Sequence, residues 1–302
     1  MSLFRLFQYV LTCLSFIISS SSLANTALPI SPEQITHPYP DVTVKTLRTA
    51  QGLLNEFHQA NYLVHTISTD GNVPTYFIEN LTNDLNLLPV HEKTSVFIRL
   101  LLPTIKAVND QILLVRTKLT ALSYQPTVDW TLEEQQWVND LMESYHVESH
   151  NLQDLLLRID IIPIGMALAQ GIDESGWGTS HFAIKGNSLY GEHLPLHGGK
   201  HLSTPSGYIK VAAFENLYQG TASYMHNLNT TRAYEDLWIL RRQLREQHNL
   251  KGDELVQALG HYSIRGDAYV EDLRALINTH QLDDFENATF DNNEIIRVRY
   301  EE

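Results

Sequence analysis

Seven apolar residues, Phe97, Leu101, Ile105, Val108, Ile112, Val115 and Leu119, recur at spacings of three and four along one stretch of the chain. That spacing places all of them on one face of an α-helix, because the helix completes a turn every ~3.6 residues. A face this long has to pack against other elements, so the chain is committed to a helical body and the stripe itself reads as core. Pro103 falls inside it. Proline lacks the N–H that the helix uses, and its ring crowds the preceding turn, so the pattern predicts a kink or a split there.

Further helical signals surround this stripe. Residues 44–68 carry Leu47, Leu54, Phe57 and Val64 in a helical pattern, and Asp70-Gly71-Asn72 with Pro74 reads as a turn. Thr131 and Glu134 form a capping-box pair ahead of Trp137, Leu141, Met142 and Tyr145. Pro163 suits the first turn of a helix bearing Ile164, Met166, Leu168, Ala169 and Ile172, which should be buried nearly all round. Gly176 and Gly178 should end it. Asn216 with Gln219 resembles a second capping box before Tyr224, Met225 and Leu228, and further helices are predicted over 232–247, 253–260 and 267–279.

Residues 176–213 differ in character. Gly176, Gly178, Gly186, Gly191, Gly198, Gly199 and Gly207 are joined there by Pro195 and Pro205, with short β-like pieces such as Tyr208-Ile209-Lys210-Val211. The stretch predicts a loop-and-hairpin lobe inserted into the helical body. The fold class expected is therefore α+β and mainly helical.

The ends of the chain point to export. Arg5 is the only charge before residue 30, Leu6 to Ile18 is mostly apolar, and Ser22-Leu23-Ala24 places small residues where a signal peptidase reads them. A signal peptide over 1–24, cut after Ala24, is expected. The apolar run is shorter than the ~20 residues of a membrane span. Pro29, Pro32, Pro38 and Pro40 predict an extended linker over 25–43, followed by a helical region over 44–125. The polar, acidic residues 281–302 are expected to form a fraying tail.

Charge and cysteine content exclude several functions. A formal charge of −14 lacks the basic footprint of nucleic-acid binding. The one cysteine, Cys13, excludes an intrachain disulfide framework and cysteine-based metal clusters. His193, His197 and His201 recur every four residues, but Pro195 and Gly198-Gly199 forbid a single helix, and they read as solvated loop histidines. No metal and no cofactor is expected.

The chemistry centres on Glu174. It sits at the end of an apolar helix, followed by Ser175, Gly176, Trp177 and Gly178. A carboxyl held beside apolar surface keeps its proton to higher pH, as a general acid for glycosidic cleavage requires. Glycines let the backbone approach a sugar ring, and Trp177 offers a face to stack on it. The same spacing also fits an ordinary helix C-terminus with a solvated glutamate. Asp173 points about 100° away around the helix and reads as a surface or supporting carboxylate. Ser175 has no nucleophile-elbow context.

Glu174-Ser-Gly-Trp-Gly-Thr-Ser, followed by Phe182-Ala and Gly186-Asn-Ser-Leu-Tyr-Gly191, resembles the glucosaminidase family of flagellar hydrolases and autolysins. Within it, Arg158-Ile-Asp-Ile-Ile-Pro163, Ser223-Tyr-Met-His-Asn-Leu-Asn-Thr230, Arg232-Ala-Tyr234 and Tyr262-Ser-Ile-Arg-Gly266 with Tyr269 resemble the Bax-like branch of exported Gram-negative proteins. The resemblance covers roughly residues 90–280, and it implies a catalytic domain over 126–280 with a lysozyme-like fold, a helical lobe and a small β-containing lobe around a cleft. It further implies hydrolysis of the β-1,4 bond after N-acetylglucosamine in peptidoglycan, with Glu174 as the acid, in the periplasm or cell envelope. The family's second functional carboxylate lies in the β lobe. Here Gly198–Ala213 holds no Asp or Glu, and Glu192 and Glu215 flank it as candidates. Tyr190, Tyr208, Tyr224 and Tyr262 are candidate sugar contacts beside Trp177. Two other readings remain: a lytic transglycosylase, which also uses one glutamate, and a non-catalytic wall-binding protein.

Overall fold

The computed structural model describes residues 27–39, 42, 44–194, 198–204, 207–291 and 294–301. The expected signal peptide, Cys13, Pro40, Pro195, His197 and Pro205 lie outside the described residues. In chain order, a strand β1 (Val44–Leu47) leads to helices α1 (Ala50–Gln59) and α2 (Val64–Asp70), then strands β2 (Asn72–Val73) and β3 (Tyr76–Ile78). Helices α3 (Val90–Ser123), α4 (Leu132–Ser144), α5 (Leu152–Arg158), α6 (Ile164–Ser175) and α7 (His181–Gly186) follow. A hairpin of β4 (His201–Ser203) and β5 (Lys210–Ala212) precedes α8 (Leu217–Thr230), α9 (Glu235–Glu246), α10 (Gly252–Leu255) and α11 (Asp267–His280). Two strands, β6 (Thr289–Phe290) and β7 (Ile296–Tyr300), end the chain's described part. The molecule is thus mainly helical α+β, as the sequence predicts.

Helix α3 is the axle of the body, packed by α6, α8 and β3. Of the two outcomes expected at Pro103, the split does not occur: the helix runs unbroken over 34 residues. The missing N–H of residue 103 leaves the Arg99 carbonyl without its helical donor. The Tyr62 hydroxyl supplies the replacement at 3.0 Å. Arg99 in turn sends Nη1 to the Tyr62 carbonyl at 2.6 Å and lies over the Phe57 ring.

Two expectations at the ends of the helical region are corrected. Val44–Leu47 is not the start of a helix but a strand, paired in parallel with β7. Nor do the described residues of the 281–302 segment fray. Leu282, Phe285 and Val298 are buried, and β7 is the centre of a parallel three-stranded sheet ordered β1-β7-β3. The Glu79 carboxylate fastens β7 by accepting from Arg297 Nε at 2.7 Å and Arg299 Nε at 2.8 Å. The average acidity of the segment hides the apolar alternation of Ile296, Val298 and Tyr300, which is what a strand needs.

The proline-rich residues 27–39 run along the body with one 3-10 turn at Pro32–Gln34. Trp137 Nε1 donates to the Pro29 carbonyl at 2.8 Å, and Asn216 Nδ2 to the Thr36 carbonyl at 2.8 Å. Of the two predicted capping boxes, the one at Thr131 forms in full, while at α8 the Gln219 side chain accepts from Glu215 N–H rather than from Asn216, so only half of that box is made. Thr131 and Glu134 cap α4 reciprocally, and the Asn216 side chain accepts from Gln219 N–H at the start of α8. Among the described residues, no helix is long and apolar enough to cross a membrane.

Candidate active site

Helix α6 is apolar nearly all round and packs between α3, α10 and α11. Its last turn carries the motif. Gly176 (φ 57°), Trp177 (φ 60°) and Gly178 (φ 73°) are all left-handed, so the chain reverses in three residues. The Gly178 N–H donates to Ser175 Oγ at 2.8 Å, and Ser175 Oγ donates to the Gly171 carbonyl. Ser175 is therefore a buried cap, not a nucleophile. A Cβ on Gly178 would lie 2.8 Å from the Phe97 ring, so the turn tolerates only glycine there. Trp177 is half-buried against the core. Its ring meets Phe97 and His280 edge-on, with centroids 6.0 and 5.0 Å away, and clamps the turn to α3 and α11.

The turn leaves Glu174 half-buried at the end of α6. Burial pushes its carboxyl above the usual range. The nearby Tyr269 hydroxyl opposes that rise; the neighbouring Asp173 charge adds to it, and Arg265 offsets it. Across from the carboxyl stands Gly191, where a Cβ would come 3.7 Å from Glu174 Oε2. Asp173 is taken up by Arg265, which also reaches Asp272 at 3.1 Å and lies 4.7 Å above the Tyr269 ring.

Behind Glu174 the structure assembles a wall of tyrosines. Tyr190 stacks on Tyr224 at 3.7 Å, and Tyr262 is parallel to Tyr269 at 5.4 Å. The Tyr262 hydroxyl donates to the Tyr190 carbonyl at 3.2 Å, tying the loop before α11 to the segment after α7. Tyr190 and Tyr224 are buried, which corrects their expected role as sugar contacts: neither offers a ring face outward. Tyr262 is partly buried, packed against the core. Tyr208 is the opposite case, 92 % exposed next to the hairpin tip.

The two candidate second carboxylates separate clearly. Glu192 adjoins the tyrosine wall, and its charge bears on Tyr190, Tyr234 and Tyr262. Burial pushes it up to about 8, against one opposing hydrogen bond from Ser223 Oγ at 3.1 Å. Its Oε1 is enclosed, with no hydrogen-bond partner among the described residues. Glu215 is exposed at the entry to α8 and ion-paired with Lys200, which holds its carboxyl below the usual range. It lines a groove with Arg48, Asn80 and Arg299 rather than the wall behind Glu174.

Sequence reasoning did not single out Gln170, Tyr269 or Arg265 as members of this site. Gln170 had a local signal, since it stands four residues before Glu174 and so shares its helix face. Among the described residues, no cluster of three metal-ligating side chains occurs. His193 and His201 both lie along β5, opposite Val211 and Ala212, and His193 is exposed.

The profile of the Glucosaminidase family, described as mannosyl-glycoprotein endo-beta-N-acetylglucosaminidase, matches residues 149–282. The chain is 30% identical to protein Bax of Escherichia coli over 196 residues, covering 63% of this chain and 70% of Bax. The catalytic domain of the autolysin Auto from Listeria monocytogenes is similar at 15% identity and a TM-score of 0.32, over 56% of this chain and 96% of that domain.

Proposed function

The chain belongs to the glucosaminidase family, in its Bax-like part, and on that premise we propose that it hydrolyses the β-1,4 bond after N-acetylglucosamine in peptidoglycan with Glu174 as general acid. The observation that carries this reading is the Glu174 carboxyl itself. It is half-buried at a helix end, holds its proton to higher pH than a free glutamate, and faces a glycine where a side chain would otherwise stand. In the proposed step the Glu174 proton passes to the glycosidic oxygen. The bond from C1 to that oxygen breaks, its electron pair leaving with the oxygen, and Glu174 is left as the carboxylate.

Water must then be activated. A base at neutral pH has to be ionised, and burial keeps Glu192 protonated up to about pH 8. That favours assistance by the substrate's own acetamido oxygen, which attacks C1 without a nucleophilic carboxylate. Water then opens the resulting ring while the Glu174 carboxylate takes its proton. The same observation favours a second reading, a lytic transglycosylase, since that reaction also needs a single glutamate. Export to the periplasm or cell envelope, with glycan strands as partner, is part of the proposal. It draws on the signal-like residues 1–24.

Mass spectrometry of wall fragments released from isolated peptidoglycan distinguishes the readings. Reducing N-acetylglucosamine ends are expected. Anhydro-muramic ends would identify a transglycosylase, and intact strands with retained binding would identify a non-catalytic wall protein.

A further inference from the structure

Building on the reading of Glu174 as general acid, we propose that Gln170 is a positioning residue that, held by Tyr224, locks the Tyr269 hydroxyl as a one-way hydrogen-bond donor to Glu174. Three buried groups from three helices meet here. Gln170 is completely buried and lies one turn before Glu174 on the same face of α6. The Tyr224 hydroxyl, from α8, donates to Gln170 Oε1 at 2.5 Å. Gln170 Nε2 donates to the Tyr269 hydroxyl oxygen, on α11, at 3.0 Å. The Tyr269 hydroxyl in turn lies beside the Glu174 carboxyl and favours its charged form.

The direction of this chain follows from counting protons. A phenol has one proton to give, and an amide has distinct donor and acceptor ends. With the amide nitrogen already aimed at the Tyr269 oxygen, the Tyr269 proton is directed to Glu174. If the amide were turned over, its oxygen would capture the Tyr269 proton, and Tyr224 would lose its acceptor. Burial makes such an unmade bond expensive. The Tyr224 ring, stacked on Tyr190 at 3.7 Å, therefore fixes the sense of the whole relay.

The relay matters at the moment of proton transfer. As Glu174 gives up its proton, negative charge appears on a half-buried carboxylate. A donor already aimed at that carboxylate stabilises the charge without reorganising. It also steers the acid proton onto the other carboxyl oxygen, away from the wall. The remaining charged and titratable groups around Glu174 are Asp173 on its own helix, and Arg265 and Tyr262 from the loop before α11, with Glu192 beyond Tyr262. None of these is altered by changing Gln170 or Tyr224.

The test uses Gln170→Met and Tyr224→Phe in the full chain, with soluble peptidoglycan glycan strands as substrate and Glu174→Gln as control. Tyr224→Phe leaves the amide free to turn over and capture the Tyr269 proton and should lower kcat about tenfold or more with KM nearly unchanged, as expected for losing a hydrogen bond to a charged group. Gln170→Met, which offers no oxygen to capture that proton, should lower kcat less. Without the Tyr269 bond the carboxyl proton is held more tightly, so the alkaline limb of the pH profile should move up by about one pH unit. A merely structural role would lower Tm and leave that limb in place. Tyr224→Phe preserves the ring stack, so it carries the test even if Gln170→Met does not fold. Wild-type kcat and an unmoved limb in Tyr224→Phe would overturn the relay while an inactive Glu174→Gln still upheld the acid. An active Glu174→Gln would overturn both.

Discussion

Glu286 Oε1 accepts the Gly165 backbone N–H at 2.8 Å, so a side chain from the end of the fold caps the helix that carries Glu174. Its other oxygen accepts from Ile164 N–H at 3.0 Å, satisfying two of the donors that a helix start leaves open. Asp283 does the same for α10, accepting from Gly252 and Asp253 at 2.9 and 3.1 Å. The approach is close enough that a Cβ on Gly165 would lie 2.1 Å from Asp283 Oδ1. Glu286→Ala strands two part-buried N–H groups and should lose about 2–3 kcal/mol by urea unfolding. Glu286→Gln, which keeps an acceptor, should recover part of the loss. Equal stability of all three proteins would remove the cap from the account.

The replacement donor at Pro103 makes a second prediction. Tyr62→Phe leaves the buried Arg99 carbonyl unpaired and should destabilise by about 1–3 kcal/mol. Pro103→Ala restores a backbone N–H able to bond that same carbonyl. In the Pro103→Ala background, Tyr62→Phe should therefore cost distinctly less, with a coupling of about 0.5–2 kcal/mol in a double-mutant cycle. Strict additivity would mean that the hydroxyl and the proline act independently.

These two relationships mark where the sequence stops being legible. Local signals were readable: the stripe of α3, the Thr131–Glu134 box, and the Gly176 turn are each set by residues within a few positions of one another. The fate of Pro103 depended on Tyr62, and β1 on a strand some 250 residues away, so neither left a local trace. The site divides in the same way. The Glu174 motif is contiguous and was found. Tyr190 and Tyr224 looked like sugar contacts because an aromatic residue near a motif carries no mark of burial, and burial is decided by α8 packing on α3.

Stability should fall between about pH 6.5 and 8. Glu192 and Glu286 are both pushed up to about 8 by burial, so in this window the folded chain holds protons that the unfolded chain, with carboxyls near 4.5, has already released. Stability then declines with rising pH, and the decline is complete once pH passes the folded values. His226, pushed down to about 4 by burial, is neutral in the folded state throughout this window and works only at lower pH, where it costs stability as pH falls below 6.5. Thermal unfolding at pH 6.5 and 8.5 should show a lower Tm at 8.5. Glu192→Gln should narrow that difference, since an amide has no proton to lose. A Tm gap as wide as the wild type's would mean that Glu192 does not titrate in this range.

The decisive variant is Glu174→Gln. The amide keeps the size of the side chain and can still accept from Tyr269, but it has no acid proton for the leaving oxygen. A positioned general acid contributes about 10²–10⁴ in rate, equivalent to roughly 3–5 kcal/mol of barrier. The loss should appear in kcat rather than KM, because the glycan-facing surfaces are unchanged. Folding should survive, and at pH 8 the variant should be at least as stable as wild type: burial disfavours the Glu174 charge, and glutamine carries none. If Glu174 were only a solvated helix end, the opposite pattern would appear, with full turnover and a small stability change. Cleavage of isolated peptidoglycan by this variant at the wild-type rate would therefore remove the acid from α6 and require the chemistry to be sought elsewhere on the molecule.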